Sequence, residues 1–219
     1  MTDIIRQPSQ FHQYEQVRSQ MKTGDVIAFS GNAGFSKFIK FFTRSQFSHV
    51  AIIVRDNSDA FGDTVTVIES TTELGIPNSD NRKVIKGVQM HFLSQRIAMY
   101  DGSVYWVPLT TALSQDGMQK MLTWLRSTYV EEVSYDYVRV LDAGLTDIER
   151  EFFQSGFKLE TPQSYSQLFC SELVTKALQI AEVLDSSINP VQQTPADVLR
   201  FSCLVQPPVE LKSDGSQKS

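Results

Sequence analysis

Apolar positions fall into two regimes along the chain. From Asp25 to Leu109 they form short runs rich in β-branched and aromatic residues, separated by Gly, Asn and Asp: Asp25–Gly31, Ser48–Arg55, Thr64–Ser70, Gly87–Leu93 and Ser103–Leu109. That pattern predicts strands. In two of them the period is two, with Val65/Val67/Glu69 opposite Thr64/Thr66/Ile68 and Val88/Met90/Phe92 opposite Gln89/His91, which predicts half-buried antiparallel strands. SHVAIIV, Ser48–Val54, is apolar on both faces and predicts a central strand.

Beyond Leu109 the period becomes helical. Met118, Met121, Leu122, Leu125 and Tyr129 lie on one face behind a cap at Ser114, and Cys170, Leu173, Val174, Ala177, Ala181 and Leu184 form a second stripe. Thr194, Pro195 and Asp197 read as a helix start, with a capping hydroxyl, Pro at the first helical position and an acid near the positive end of the dipole. A shorter helix is predicted over Gly34–Arg44, with Phe35, Phe38, Ile39 and Phe42 on one face, and an amphipathic N-terminal helix around His12. The expected architecture is α+β, an antiparallel sheet of about five strands packed against helices. Residues 1–209 are read as one domain with a core over 24–201; the polar end, 210–219, is read as a disordered tail.

Composition narrows the function classes. The 219 residues carry 20 Lys plus Arg against 25 Asp plus Glu, a net charge of −5, which argues against nucleic acid as a partner. There is no signal-peptide core at the N-terminus and no uncharged stretch near the roughly 18 residues of a membrane span, so the expected location is cytoplasmic. Two cysteines cannot make a disulfide framework, and in a reducing compartment both are expected as thiols.

Three residues stand out chemically. His49 lies in the most apolar strand of the chain, where neighbours on both sides fix its backbone. Cys170 is expected in the first turn of its helix, where unsatisfied N–H groups favour a thiolate and its own backbone N–H could serve an oxyanion. Glu69 continues the inward face set by Val65 and Val67, a carboxylate where an apolar side chain is expected. Such an acid could accept the ring N–H of His49 and fix its tautomer. Each also has a plain structural explanation: a core histidine bonded to a carbonyl, a small buried hydrophobe, a carboxylate at a strand end in water. Asp25, Asp101 and Asp136 are rival acids and His91, on the polar face of its strand, a rival base. Cys203 is read as packing alone.

These residues occur within a recognisable series: Gly24–Asp25 before a strand, Ser48–Val54 (SHVAIIV), Ile68–Ser70 (IES), Gly87–Val88, Tyr135–Asp136, Cys170–Val174 (CSELV) and Thr194–Leu199 (TPADVL). In this order they resemble the permuted papain-like proteins of the NlpC/P60 superfamily, in particular the YiiX/YaeF-type amidases, with lecithin:retinol acyltransferase-like proteins more distant. The resemblance runs from about Gly24 to Phe201. It implies a circularly permuted papain-like fold, with His49 as base, Glu69 as the orienting acid and Cys170 as nucleophile; the stretch 137–169 departs from it in being longer than the family minimum, and is read as a lid or a surface insertion.

The stretch from Val26 to Val54 has no acid but contains Lys37, Lys40 and Arg44, a basic rim that could hold an anionic part of a substrate. Tyr135, by analogy with the family, could donate a hydroxyl near the oxyanion. The leading expectation is thus a cysteine hydrolase forming a thioester on a small-molecule amide, peptide or acyl substrate, with no cofactor and no metal. A thiol-dependent acyltransferase or lipid acyl hydrolase is the alternative, and a binding module that keeps the fold without turnover is a second. The Phe-rich helix allows peripheral membrane contact, which is not favoured; the sequence does not fix the oligomeric state.

Overall fold

In the computed structural model, the described residues are 12–31, 46–56, 64–71, 73–130 and 162–214. Six strands form one antiparallel sheet: β1 (Val26–Gly31), β2 (His49–Asp56), β3 (Thr64–Thr71), β4 (Gly87–Phe92), β5 (Gly102–Val107) and β6 (Val209–Lys212), in the order β4-β3-β2-β1-β5-β6. The helices are α1 (His12–Val17), α2 (Leu93–Met99), α3 (Gln115–Val130), α4 (Pro162–Ile180) and α5 (Pro195–Val198). The α+β architecture follows the two periodicities of the sequence, and SHVAIIV is central, as its two apolar faces require.

Both faces of the sheet are covered. Val26, Ala28, Val50, Ile52 and Ile68 point into one core with Met121 and Leu125 of α3 and Leu173, Val174 and Ala177 of α4. Ile27, Phe29, Ala51, Ile53 and Val67 point into a second with Tyr14 of α1, Leu93 and Ile97 of α2, and Leu211 of β6. The half-buried reading of β3 and β4 is therefore corrected: β3 is buried along nearly its whole length, and Gln89 and His91 of β4, expected in solvent, are enclosed beneath this second layer.

Two further expectations change. The chain end does not fray at Val209: β6 adds a sixth strand beside β5, with Leu211 at 1% exposure, so a single buried side chain and backbone pairing order a polar segment. The helix that carries Cys170 starts at Pro162, a residue suited to the first helical position, so Cys170 lies well inside α4 rather than in its first turn. Its backbone N–H belongs to the helical ladder, which removes it as a terminal oxyanion donor.

The Gly34–Arg44 helix and the 137–161 part of the expected lid lie outside the described residues; 162–169 are the opening turns of α4. At the α5 start, Thr194 and Asp197 form the reciprocal capping pair that the sequence suggests. Where β1 meets β5, Gly31 lies opposite Gly102, whose φ is +149°, and a Cβ on Gly102 would come within 2.6 Å of the Gly31 Cα. Only glycine fits there. Among the described residues no helix is long and apolar enough to cross a membrane.

Candidate active site

His49 is the first residue of β2, paired with Phe29 of β1, and its ring lies 5.4 Å from the Phe29 ring at 46°. The register that sets Ile52 against Ile68 puts Glu69 diagonally across from His49 on the same face, a separation that long side chains bridge. They do: His49 Nε2 bonds Glu69 Oε2. Cys170 reaches the same ring from α4, hydrogen-bonding His49. As the first residue of its strand, His49 touches Phe29 of one core and Cys170 of the other.

Glu69 has a second set of partners. Arg96 of α2 donates from Nε to Oε1 at 2.7 Å and from one terminal nitrogen to Oε2 at 3.4 Å. Its other terminal nitrogen is 3.3 Å from Glu73. Both side chains are enclosed, Glu69 at 0% exposure and Arg96 at 2%. The guanidinium lies 4.6 Å from the Phe29 ring centre and 5.2 Å from that of Tyr100. A Cβ at Gly31 would come 2.7 Å from the Tyr100 hydroxyl, so glycine there leaves room for this ring. Tyr100 in turn hydrogen-bonds the Ser48 side chain, next to His49. His91 of β4 closes the cluster, with Nδ1 on the Pro77 carbonyl at 3.0 Å and Nε2 at 3.6 Å from Glu69 Oε1.

The electrostatics follow from this geometry. Burial works against charge on His49, but Cys170 and the Glu69 carboxylate overcome it and push the imidazole up to about 10. Burial would likewise neutralise Glu69; Arg96 first, then His49, hold its carboxyl well below the usual carboxylate range. Cys170 itself is fully buried, whereas the His49 side chain is 14% exposed, so solvent reaches the group from the imidazole side.

His49, Glu69 and Cys170, which the sequence picks out, thus come together. Tyr135, Lys37, Lys40 and Arg44 lie outside the described residues, as does the rival acid Asp136. Asp25 is committed elsewhere: its buried carboxylate accepts from Trp106 Nε1 and from the backbone N–H groups of Lys22 and Leu109, each at 2.9 Å. Asp101 is exposed. Cys203 is buried in the α4-side core, and burial raises its thiol.

Sequence reasoning missed Arg96 and the role of His91. The available signal was the spacing Leu93, Arg96, Ile97, which places an arginine on the apolar stripe of a short helix. Among the described residues, no group of three or more His, Cys, Asp or Glu could hold a metal ion. Arg96 puts a fixed positive charge against the one fully buried carboxylate of the cluster, a poor setting for a second cation.

Among solved structures the chain is similar to one described as the metalloprotein YiiX from Escherichia coli O157:H7, among others, at 20% identity and a TM-score of 0.49, over 85% of this chain and 96% of that one. No family model matches the chain, and a comparison with curated proteins finds no match.

Proposed function

We propose that the protein is a cysteine-dependent hydrolase that cleaves an amide or ester bond in a small amide, peptide or acyl substrate. Cys170 is the nucleophile, His49 the general base and acid, and Glu69 the residue that orients His49. One observation carries the reading: a single imidazole lies between a thiol and a buried carboxylate and is bonded to both. An activated nucleophile needs a base within hydrogen-bond reach and a third group that holds the base in one tautomer. Glu69 keeps the Nε2 proton in place, so Nδ1 is the atom that exchanges protons at the sulfur.

The cycle begins with the Cys170 proton already carried on His49 Nδ1, since the imidazole is pushed up to about 10. The thiolate attacks the substrate carbonyl carbon, and the carbonyl π bond opens onto oxygen. Collapse of this intermediate breaks the bond to the leaving nitrogen or oxygen, which takes the proton from Nδ1. A thioester remains on Cys170. Water then gives a proton to Nδ1 while its oxygen attacks the thioester; the acid product departs, and the sulfur leaves as thiolate beside the imidazolium. Burial of Glu69 strengthens its hold on the imidazolium at each stage, because the attraction acts in a low dielectric.

On sequence grounds, Tyr135 is assigned to the oxyanion and Lys37, Lys40 and Arg44 to an anionic part of the substrate. The reading is tested by product release from a panel of small amides and esters, with wild type and Cys170→Ala compared. Turnover of at least one substrate by wild type and its loss in Cys170→Ala is the expected result. Equal turnover by both proteins removes Cys170 from the mechanism.

A further inference from the structure

We propose that Arg96 is a positioning residue for this site: packed against the Phe29 and Tyr100 rings, its guanidinium fixes both oxygens of Glu69 so that the carboxylate presents one of them to His49. The inference rests on the proposed function for its catalytic meaning, but the contact network stands independently of it.

Three observations lead there. First, the guanidinium addresses both oxygens, Nε to Oε1 at 2.7 Å and a terminal nitrogen to Oε2 at 3.4 Å, and a planar fork used this way fixes rotation of the carboxylate as well as its place. Second, the arginine cannot easily swing away. Phe29 and Tyr100 pack against it, Glu73 lies 3.3 Å from its outer nitrogen as an ion pair, and the side chain is 2% exposed. Third, the other neighbour of Oε1 cannot do the same work. His91 is anchored through Nδ1 on the Pro77 carbonyl, and its Nε2 lies 3.6 Å from Oε1, beyond hydrogen-bond reach.

The same unit touches the site a second time. Phe29, one of the rings over Arg96, also packs on the His49 ring, and Tyr100, the other, bonds Ser48. Arg96 therefore acts through Glu69 and through the rings that back the imidazole, without contact to the reacting atoms.

The test compares wild type with Arg96→Met, Arg96→Lys, Glu69→Gln and Glu69→Gln/Arg96→Met. The Glu69 side-chain carboxyl is followed by carbon NMR during an acid titration, together with the rate at which iodoacetamide alkylates Cys170. The groups that face Glu69 are His49 from β2, His91 from β4 and Arg96 from α2, with Glu73 beyond Arg96. In Arg96→Met the Glu69 midpoint is expected to rise by about one to three pH units, since the nearest cation is gone. Alkylation should slow by about 10- to 100-fold, the usual cost of losing an orienting partner. Arg96→Lys should keep the low midpoint but recover the alkylation rate only in part, because lysine supplies the charge without the fork.

Should Arg96→Met not fold, Arg96→Lys and the double variant, which leaves no unpaired buried charge, carry the test. In the double variant, alkylation should be no slower than in Glu69→Gln alone, because Arg96 acts through the carboxylate. An unchanged Glu69 midpoint in Arg96→Met, full recovery in Arg96→Lys, or an additive loss in the double variant overturns the inference. Failure of the hydrolase reading would look different: the Glu69 midpoint would still move, while no substrate would be turned over by any of the proteins.

Discussion

Glu69 accepts Arg96 Nε on one oxygen at 2.7 Å and bonds His49 Nε2 with the other, so a single buried carboxylate ties a strand-end imidazole to a helix on the covered face of the sheet. The first expectation concerns what happens when that charge is removed. Glu69→Gln keeps the shape but leaves Arg96 with only Glu73, itself 3.3 Å away and half exposed. Breaking a buried pair from one side costs about 3–5 kcal/mol, read as a lower urea midpoint. His49 should also titrate below the value of about 10 that Glu69 and Cys170 support, as followed by its ring proton in NMR. An unchanged His49 midpoint in a folded Glu69→Gln protein would contradict the assignment.

A pH dependence of stability follows from the same two groups. His49 is raised from 6.5 to about 10 on folding, so its contribution is complete below pH 6.5 and is lost as pH rises through about 10. Glu69 is lowered from 4.5, so its contribution is complete above pH 4.5 and is lost as pH falls through its depressed folded value. Urea unfolding should accordingly show a plateau from pH 4.5 to 6.5 and a decline on the alkaline side no steeper than about 1.4 kcal/mol per pH unit for this one group. Cys170→Ala, which removes one of the two groups that raise His49, should flatten that decline. A curve as steep as that of wild type would mean that other groups dominate.

Lys212 provides a third expectation. From β6 its Nζ donates to the carbonyl of Ile97 at 3.1 Å and to that of Tyr100, capping the end of α2, the helix that carries Arg96. A cation on terminal helix carbonyls contributes about 0.3–1 kcal/mol. Lys212→Ala should lower the thermal midpoint modestly, and removal of residues 209–219 should do so far more, because Leu211 leaves the core and β5 loses one of its two partner strands. Equal melting of the truncated and full chains would show that β6 does not stabilise the fold.

The extent to which the sequence displays this arrangement depends on how unusual each residue looks in its run. His49 in SHVAIIV and Glu69 after Val65 and Val67 are polar side chains at apolar positions, and Cys170 lies on a helical stripe, so all three are visible as departures from a pattern. His91 is hidden for the opposite reason. It alternates with Gln89 as a solvent face should, and only the second layer, built by α1, α2 and β6, turns that face into a core. Arg96 needs the same layer to be buried. The start of α4 was obscured because Pro162–Phe169 carries no regular apolar stripe, although proline marks the first turn. β6 was obscured because Leu211 is the only large apolar residue in a polar end, and edge pairing with β5 supplies the rest.

Local backbone constraint gives a fourth expectation. Gly102→Ala would place a Cβ within 2.6 Å of both the Gly31 Cα and the Ser30 carbonyl oxygen, at a φ of +149° that other residues rarely adopt. A strained residue of this kind costs on the order of 1–3 kcal/mol before any clash is counted. The variant should therefore melt well below wild type. A melting temperature equal to that of wild type would show that β1 and β5 can separate there at no cost.

The most direct measurement is intact-mass spectrometry of the protein mixed with an activated acyl ester and quenched in acid within the first turnovers. The account predicts a single added acyl group, mapped to Cys170, removed by hydroxylamine, absent in Cys170→Ala and strongly reduced in His49→Ala. An unmodified mass during measured turnover, or an acyl group on another residue that persists in Cys170→Ala, would contradict the central claim that Cys170 carries the reaction.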